Sequence, residues 1–258
     1  MSSLNSTKIN RLLQEVPAGV VMTSAWLNKQ GYNSDLIRSY RKSHWLATFG
    51  NGAVKRYNDT IDYLGGVYAL QKQLGLSVHP AGKTALGLQG RSHFLEMYAQ
   101  VVYLFGNEKE TLPTWFKKQD WKHELQYHAS SFLPEGLGLV QKEVKNFTIH
   151  ISGAPRALME CLYLAPKNQD LMECYKLMEG LNNLQPKLVQ QLLKGCSSVK
   201  VKRLFLFMAE KAQHQWFNYL DVQKIDVGKG NRSLVERGVF ISKYKITLPK
   251  ELATYESV

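Results

Sequence analysis

The dipeptide Asn51-Gly52 lies between two short apolar runs in the stretch WLATFGNGAVKRY. Flanked in this way, an Asn-Gly pair is the strongest short-range signal for a β-hairpin, because both residues tolerate the backbone angles of a tight turn. The sequence therefore predicts a hairpin, with Lys55 and Arg56 on its return strand. The hairpin directly follows a helical pattern, and this order limits the fold of the N-terminal region.

Two short helices joined by a tight turn are predicted just before the hairpin. Thr23 is a residue type that caps helices, and the apolar bulk after it extends up to Gly31, a typical helix end. Gly31, Tyr32 and Asn33 then form the turn, and Ser34 is predicted to cap the second helix. Helix, glycine turn and helix have the spacing of a helix-turn-helix, and the hairpin is then its wing.

The second of these helices has an apolar face and a polar face. Leu36, Ile37 and Tyr40 form the apolar face at helical spacing. The opposite face carries Asp35, Arg38, Ser39 and Lys42, with Arg41 beside it. Such a face can reach the phosphates and base edges of DNA. The alternative is a solvated basic face on an ordinary three-helix subdomain, but the turn, the cap, the cations and the basic hairpin together favour DNA binding.

The chain carries an excess of positive charge, with 33 Lys and Arg against 21 Asp and Glu, which gives a formal net charge of +12. Such an excess favours an anionic partner through long-range attraction. Residues 1–95 hold 11 basic and 4 acidic residues, a balance of +7, and the other 163 residues hold 22 and 17, a balance of +5. Positive charge is therefore denser in the N-terminal part.

Composition indicates a folded protein of the cytoplasm. The longest run without a charged residue, residues 16–28, is shorter than the roughly 20 residues of a membrane helix, and the N-terminus lacks the layout of a secretion signal. Cys161, Cys174 and Cys196 are odd in number and form no C-x-x-C pair, which indicates buried reduced thiols. We therefore expect a cytoplasmic protein without a metal or cofactor.

A change of pattern near residues 93–97 predicts two domains, 1–95 and 96–258. Helical patterns at residues 62–74 and 84–94 complete the first domain. The later patterns are strands at residues 98–105, 125–129 and 144–152, helices at residues 155–164, 169–181 and 186–193, a helix capped by Ser197 or Ser198, and a last strand in GVFISKYKITLP. The predicted fold class is α+β, with an N-terminal winged helix-turn-helix domain followed by a mixed α/β C-terminal domain.

An acidic pattern keeps a second function open. Glu135, Glu143 and Lys145 echo the arrangement by which some nucleases hold a metal and activate water, although so short a pattern recurs by chance. The alternative function is therefore a metal-dependent nuclease with a basic DNA-binding domain. A third is an RNA-binding or assembly module that uses the same charge.

Two other motifs are incomplete. Gly82-Lys83-Thr84 resembles the end of a phosphate loop but lacks its first glycine and its preceding strand. His123 and His128 are five residues apart, whereas the zinc protease helix needs four. Neither motif predicts a site.

A second basic cluster lies in the C-terminal part of the chain. Its members are Lys194, Lys200, Lys202 and Arg203. They predict a second patch for an anionic partner, while a solvated, lysine-rich helix end explains them equally well.

Four blocks of the sequence resemble the AbiEi family of antitoxins, from the bacterial abortive-infection AbiE systems, which are type IV toxin-antitoxin modules. The blocks are WLNKQGYNSDLIRSYRKSHWL, NGAVKR, YALQKQLGLSVHPAGKTALGLQGRSHFL and VKVKRLFLFMAEKAQHQW. The resemblance rests on their order and combined length, which reach from the N-terminal domain well into the C-terminal one.

The resemblance implies a winged helix-turn-helix that binds repeats in the operon's own promoter and represses it. It also implies a C-terminal domain that counteracts a nucleotidyltransferase-like toxin encoded next door, with direct contact left open. By position, the DNA-reading role falls on Ser34, Arg38, Ser39, Arg41 and Lys42, and the wing role falls on Asn51, Lys55 and Arg56. Position and charge point to Lys200, Lys202 and Arg203 for the antitoxin role.

We therefore expect a non-enzymatic, two-domain antitoxin and autorepressor that binds double-stranded DNA. Lys55 and Arg56 are expected to neutralise phosphates and fix the register on the duplex. Arg38 and Lys42 are expected to approach the major groove.

Overall fold

The computed structural model of the protein describes residues 2–90 and 101–255, with side chains from residue 8 onward. The described chain forms two compact units that are interleaved along the sequence. The first comprises residues 2–79, 101–129 and 141–150, and the second comprises residues 80–90, 130–140 and 151–255. The units differ from the continuous domains predicted at 1–95 and 96–258, because parts of the later chain pack with the N-terminal residues.

Helices are distributed over the whole described chain. In chain order they are α1 (Ser2–Glu15), α2 (Ser24–Lys29), α3 (Ser34–Lys42), α4 (Tyr63–Tyr68), α5 (Gly82–Leu88), α6 (Thr114–Lys117), α7 (Ala154–Leu164), α8 (Leu171–Glu179), α9 (Pro186–Gly195), α10 (Val199–Lys211) and α11 (Lys250–Thr254). A π-helical segment, Ala69–Gln73, continues α4, and short 3-10 helices lie at Gln215–Tyr219, Val222–Lys224 and Ser242–Tyr244.

The strands are short and belong to several small sheets. In chain order they are β1 (Met22–Thr23), β2 (Leu46–Gly50), β3 (Ala53–Arg56), β4 (His79–Pro80), β5 (Val101–Gly106), β6 (Glu124–Ala129), β7 (Leu139–Val144), β8 (Phe147–Ser152), β9 (Arg232–Ser233), β10 (Val239–Ile241) and β11 (Ile246–Leu248). Small sheets among many helices confirm the predicted α+β class.

The N-terminal part of the first unit is a winged helix-turn-helix. Its sheet has the strand order β1-β3-β2 with antiparallel pairing, and Met22 is the register partner of Val54. Both of these side chains are buried, as are Leu27 of α2 and Ile37 of α3. These apolar residues form the core that holds the helices against the sheet.

Later segments complete the first unit with a second sheet. Its strand order is β4-β5-β6, and β5 and β6 run parallel, with Val101 paired to Glu124. Leu104 and Phe105 of β5 are buried. The short helix α6 contributes the buried Trp115 and Phe116.

The second unit is mainly helical. Its central helices, α7 and α10, are buried at almost every position, which explains why both lack a clean polar stripe. Cys161, Cys174 and Cys196 are buried free thiols, as predicted, and burial raises the pKa of Cys161. The predicted helix cap is also confirmed, because the Ser198 hydroxyl accepts a hydrogen bond from the N–H of Val201 at 3.4 Å.

The structure corrects two strand predictions. The tail predicted as one strand is broken by the 3-10 turn Ser242–Tyr244 and by Lys245, which has a φ of 50°, so that β11 folds back antiparallel on β10. The strand predicted at residues 144–152 is confirmed as β8 from Phe147 onward, but Val144 belongs to β7, and Lys145, with a φ of 49°, lies in the turn between the two strands. Alternating residues continue through both turns, and periodicity alone therefore does not reveal them.

The predicted helices of the first unit are partly confirmed. The helix expected at residues 62–74 is α4 followed by the π-helical segment. The helix expected at residues 84–94 begins earlier, at Gly82, and ends at Leu88, while residues 91–94 lie outside the described residues, as do residues 98–100 of a predicted strand. In the described ranges, every helix is too short or too polar to cross a membrane.

Candidate nucleic-acid interface

The turn between α2 and α3 is fixed by local hydrogen bonds. Thr23 caps α2, since its hydroxyl accepts from the N–H of Trp26 at 3.3 Å, which confirms the predicted cap. Gly31 adopts a φ of 83°, a left-handed conformation that glycine reaches without a steric penalty. The N–H of Tyr32 donates to the carbonyl of Leu27 at 2.9 Å, so the chain closes tightly onto the end of α2.

Tyr32 also anchors the turn to α1. Its ring is buried, and its hydroxyl donates to the carbonyl of Lys8 at 3.3 Å. Burial raises the pKa of Tyr32, and burial likewise raises that of Tyr40 in α3. The hydrogen bond of Tyr32 and the buried ring of Tyr40 therefore attach α3 to the first unit at its turn and at its buried face.

The cap of α3 differs from the prediction by one residue. Asn33 is the capping residue, because its extended backbone directs its side-chain oxygen to the N–H of Leu36 at 3.0 Å. Ser34 is instead the first residue of the helix and is exposed. The sequence places two capping residue types side by side, and the backbone of the turn selects the first of them.

The two faces of α3 are arranged as predicted. Ile37 and Tyr40 are buried, and Leu36 is half-buried. The polar residues Arg38, Ser39, Arg41 and Lys42 are all exposed. Arg38 pairs with Asp35 through Nη1 and Oδ1 at 3.3 Å. Among the described residues, Arg41 and Lys42 make no side-chain hydrogen bond or ion pair.

The wing is the antiparallel pair β2 and β3, and Asn51 and Gly52 form its tip as predicted. Gly52 has a φ of 83°, with open space around the position of a side chain. Gly50 opposes Ala53 after a register shift, so the strand bends just before the tip. The carbonyl of Gly52 accepts from the N–H of Ser24 at 2.8 Å, which ties the tip to the first residue of α2.

Phe49 of the wing packs against two tryptophans of the first unit. The ring of Phe49 lies 6.2 Å from that of Trp115 and 5.6 Å from that of Trp121. A Cβ at Gly50 would stand 3.0 Å from the Cβ of Trp115, so only glycine permits this close approach without a shift. The wing is therefore held in place by α6 and the residues after it.

Both cations of the wing donate hydrogen bonds to backbone carbonyls of the first unit. The Arg56 guanidinium donates through Nη2 to the carbonyls of Leu13 and Val16 at the end of α1. Lys55 donates to the carbonyl of Asp59. Its Nη2 is bonded inside the unit and its Nε is buried, and both observations disfavour the expected role of Arg56 at phosphates, which stays a prediction. A lysine ammonium has three N–H donors, so Lys55 keeps two for another partner.

Sequence analysis missed an aromatic pair next to this face. Trp45 is 47% exposed and Tyr57 is 46% exposed, and the N–H of Tyr57 donates to the carbonyl of Trp45 at 3.1 Å. His44 packs edge-on against Tyr57 with ring centroids 4.7 Å apart. The available signal was the position of both aromatics at the open end of the predicted hairpin.

The predicted second basic patch is not a surface feature. Lys202 and Arg203 are buried, and the Arg203 guanidinium donates to the carbonyls of Val227, Gly228 and Lys245. This corrects the prediction for Lys202 and Arg203, because α10 is a central helix that buries both side chains and the Arg203 guanidinium bonds inside the second unit.

The other two cations of that cluster differ from each other. Lys200 is half-buried and donates to the carbonyls of Tyr163 and Ala165 at the end of α7. Burial lowers the pKa of Lys200. Lys194 is exposed in the last turn of α9, so only this member of the cluster presents its charge to solvent as predicted.

The nuclease pattern gains no support from the geometry. Glu143 is exposed on β7, Lys145 lies in the turn after it, and Glu135 belongs to the second unit. In the part of the chain that the structure describes, His, Cys, Asp and Glu form no group of three or more suited to a metal ion.

Two family models match the chain and together span most of it. One, described as "Transcriptional regulator, AbiEi antitoxin N-terminal domain", matches residues 5–97. The other, described as "Transcriptional regulator, AbiEi antitoxin, Type IV TA system", matches residues 99–249, more than half of the chain. The chain belongs to the AbiEi family of antitoxins. The resemblance found in the sequence is thereby confirmed, and this AbiEi antitoxin is a transcriptional regulator.

A solved structure has the same overall fold as this AbiEi antitoxin. It is described as "Crystal structure of RV2827C protein from Mycobacterium tuberculosis", and it matches with a TM-score of 0.59 at 12% sequence identity. The match covers 95% of this chain and 89% of that chain. At this identity the likeness concerns the fold alone. A comparison with curated proteins gave no match.

Proposed function

We propose that this AbiEi antitoxin binds duplex DNA through α3 and the wing, and that it represses its own promoter. One observation carries the proposal: residues 36–58, which form most of α3 and all of β2 and β3, contain no Asp or Glu. The cations of this segment, Arg38, Arg41, Lys42 and Lys55, attract the phosphate backbone, and Asp35 is the only acidic residue on α3.

The dimensions of α3 fit the major groove. Nine helical residues span about 14 Å, and the groove is about 12 Å wide and admits one helix. In this arrangement Arg38 and Lys42 face base edges, and Ser34, Ser39 and Arg41 contact the flanking backbone. At the wing, the exposed Asn51 and the remaining donors of Lys55 reach phosphates.

The ion pair of Arg38 with Asp35 does not prevent this role. The two side chains are 68% and 84% exposed, and exposed pairs of this kind contribute only about 0 to 1 kcal/mol. Arg38 makes one contact of 3.3 Å with Asp35, whereas a guanine edge accepts two hydrogen bonds from an arginine fork. Arg38 therefore gains a hydrogen bond when it exchanges Asp35 for a guanine. Arg38 is therefore available for reading bases.

Titration of the chain's own upstream DNA against a shuffled fragment, at fixed salt, tests the proposal. We expect Arg38→Ala to weaken binding by about 1 to 3 kcal/mol and to reduce the preference for the native fragment. Equal binding of both fragments by the unmodified protein contradicts promoter recognition. Unchanged binding by Arg38→Ala contradicts the assignment of that residue.

We also propose that the chain counteracts a nucleotidyltransferase-like toxin without being an enzyme itself. Family membership supports this role, and the test is growth of cells that express the toxin from the adjacent gene with or without this chain. An Arg38→Ala, Lys42→Ala double variant that still rescues growth separates antitoxin activity from repression.

A magnesium-dependent cleavage of labelled DNA that is lost in Glu143→Ala would favour the nuclease alternative instead.

A further inference from the structure

The exposed aromatic pair, Trp45 and Tyr57, is fixed rigidly to the end of α3. The N–H of Trp45 donates to the carbonyl of Tyr40 at 3.0 Å, and the N–H of His44 donates to that of Arg41 at 3.3 Å. His44 has a φ of 56°, which turns the chain from the helix into the wing. Both rings therefore lie next to the cationic end of α3, at the open end of the hairpin.

Each ring offers an apolar surface and a free polar group. In the described ranges, neither the indole N–H of Trp45 nor the hydroxyl of Tyr57 makes a hydrogen bond. Aromatic residues with one polar tip are suited to surfaces that are partly apolar and partly polar. The two residues face each other across the wing strands, since the N–H of Tyr57 donates to the carbonyl of Trp45, so the rings are close enough to contact one partner together.

The charge around the pair identifies the kind of partner. Arg41 and Lys42 precede Trp45 by four and three residues, and the segment of residues 36–58, which has no Asp or Glu, includes both aromatic residues. Residues 36–58 offer no carboxylate with which the lysines and arginines of a protein partner could pair. A polyanion with apolar sugar faces matches the rings, their donors and the cations together.

We infer that Trp45 and Tyr57 contact the sugar-phosphate backbone of the same duplex that α3 enters, an inference that rests on the proposed function. The rings pack on deoxyribose, and the indole N–H and the phenol hydroxyl donate to phosphate oxygens. These donors are uncharged, so the contact releases no condensed counterions. The pair adds affinity that does not depend on sequence and does not weaken with salt.

Salt titrations of duplex binding distinguish this contact from an ionic one. We expect Trp45→Ala to weaken binding about tenfold at every salt concentration and to leave the slope of log K against log salt unchanged. Arg41→Ala, which loses a cation placed at the flanking backbone, serves as the ionic comparison and should reduce that slope by about one. Tyr57→Phe, which loses only the hydroxyl, should weaken binding by about threefold.

Control variants separate the contact from a loss of folding. Tyr219 is 78% exposed in the second unit, and Tyr219→Ala should bind duplex DNA like the unmodified protein. Trp45→Phe keeps a ring at the site, so it should retain most of the affinity and lose the part of the DNA-induced fluorescence change that comes from Trp45.

Three results would overturn the inference. The first is wild-type duplex affinity in Trp45→Ala and Tyr57→Phe. The second is a slope change in Trp45→Ala as large as that in Arg41→Ala. The third is a loss of affinity confined to single-stranded DNA or RNA. If the unmodified protein fails to bind duplex DNA, the proposed function itself is wrong. Duplex binding that responds to Arg38→Ala and not to the aromatic variants removes this inference alone.

Discussion

The N–H of Ser24 donates to the carbonyl of Gly52 at 2.8 Å, so the first residue of α2 holds the tip of the wing. The bond joins the wing to α2, and the turn at Gly31 to Asn33 joins α2 to α3, the helix that we propose contacts the same duplex as the wing. Because it involves only backbone atoms, side-chain substitutions at Ser24 leave it intact. The contribution of this one donor to the position of the wing tip can therefore be removed selectively.

Proline at Ser24 should release the wing tip without breaking α2. Proline is tolerated at the first position of a helix, and Thr23 already has the extended backbone that precedes proline, with ψ at 139°. We expect Ser24→Pro to lower the free energy of unfolding by about 0.5 to 1.5 kcal/mol, the net contribution of one hydrogen bond. Urea denaturation measures this, and hydrogen exchange of the wing amides should accelerate.

Ser24→Ala is the matched control for that variant, because it keeps the N–H donor and removes only the hydroxyl. Its unfolding free energy and its wing exchange rates should equal those of the unmodified protein. Equal behaviour of the proline and alanine variants would show that the Ser24 to Gly52 bond does not hold the wing.

Replacing Arg56 should destabilise the first unit and leave the salt dependence of DNA binding unchanged. Its guanidinium supplies donors to two carbonyls at the end of α1, Leu13 and Val16, which lose their partners in Arg56→Met. We expect a loss of about 2 to 3 kcal/mol, since hydrogen bonds from charged groups are stronger than neutral ones. Thermal and urea denaturation measure the loss.

Arg11→Met provides the comparison on the same helix. Arg11 pairs with Glu15 at 2.7 Å, but its side chain is 75% exposed, so the loss of stability should be much smaller than that in Arg56→Met. A reduced salt slope in Arg56→Met, with unchanged stability, would return Arg56 to the phosphate-binding role that the sequence suggested.

These cases show what local sequence signals do and do not determine. The Asn51-Gly52 turn, the Thr23 cap and the buried face of α3 follow from residues close together in the chain, and all were predictable. The roles of Arg56 and Arg203 were not predictable, because the carbonyls that bind them come from residues about 24 to 43 positions away. A sequence shows a cation but not the carbonyls that the fold brings within its reach.

Substitution of Asp35 should change DNA affinity and stability in opposite directions. Asp35→Asn removes the only carboxylate on α3 and frees Arg38, so duplex affinity should rise by about 0.3 to 1 kcal/mol. The same change removes an acid from the first turn of α3, where it interacts favourably with the helix dipole, and stability should fall by about 0.3 to 1 kcal/mol. Titration and denaturation of one preparation measure both.

Glu236→Gln is the control for the change of charge, since Glu236 is exposed in the second unit. It alters net charge by the same amount and should change DNA affinity much less. Equal gains in affinity from both variants would attribute the effect to net charge rather than to the face of α3.

Arg203 should be essential to the fold of the second unit and unnecessary as a surface charge. Arg203→Lys keeps the charge but cannot reproduce a fork that donates to three carbonyls, so we expect a loss of about 2 to 4 kcal/mol. The exposed Lys194 offers the comparison, and Lys194→Met should change stability by less than about 0.5 kcal/mol. An Arg203→Lys protein of normal stability that lost antitoxin activity would contradict the structural role.

His128 should make the first unit less stable in mild acid. Burial lowers the pKa of His128 below the ordinary 6.5, and its Nε2 is buried without a hydrogen-bond partner among the described residues. In mild acid the folded state therefore binds fewer protons than the unfolded state. The free energy of unfolding is not reduced by His128 above about pH 6.5, and it falls as the pH decreases from that value toward the lower pKa of the folded state. His128→Phe retains the packing against Phe105, whose ring centroid lies 5.2 Å away, and should flatten the decline measured by denaturation between about pH 7 and pH 5. His123→Gln, at an exposed position on the same segment, should leave the decline as it is, and an equal flattening in both variants would assign the acid sensitivity elsewhere.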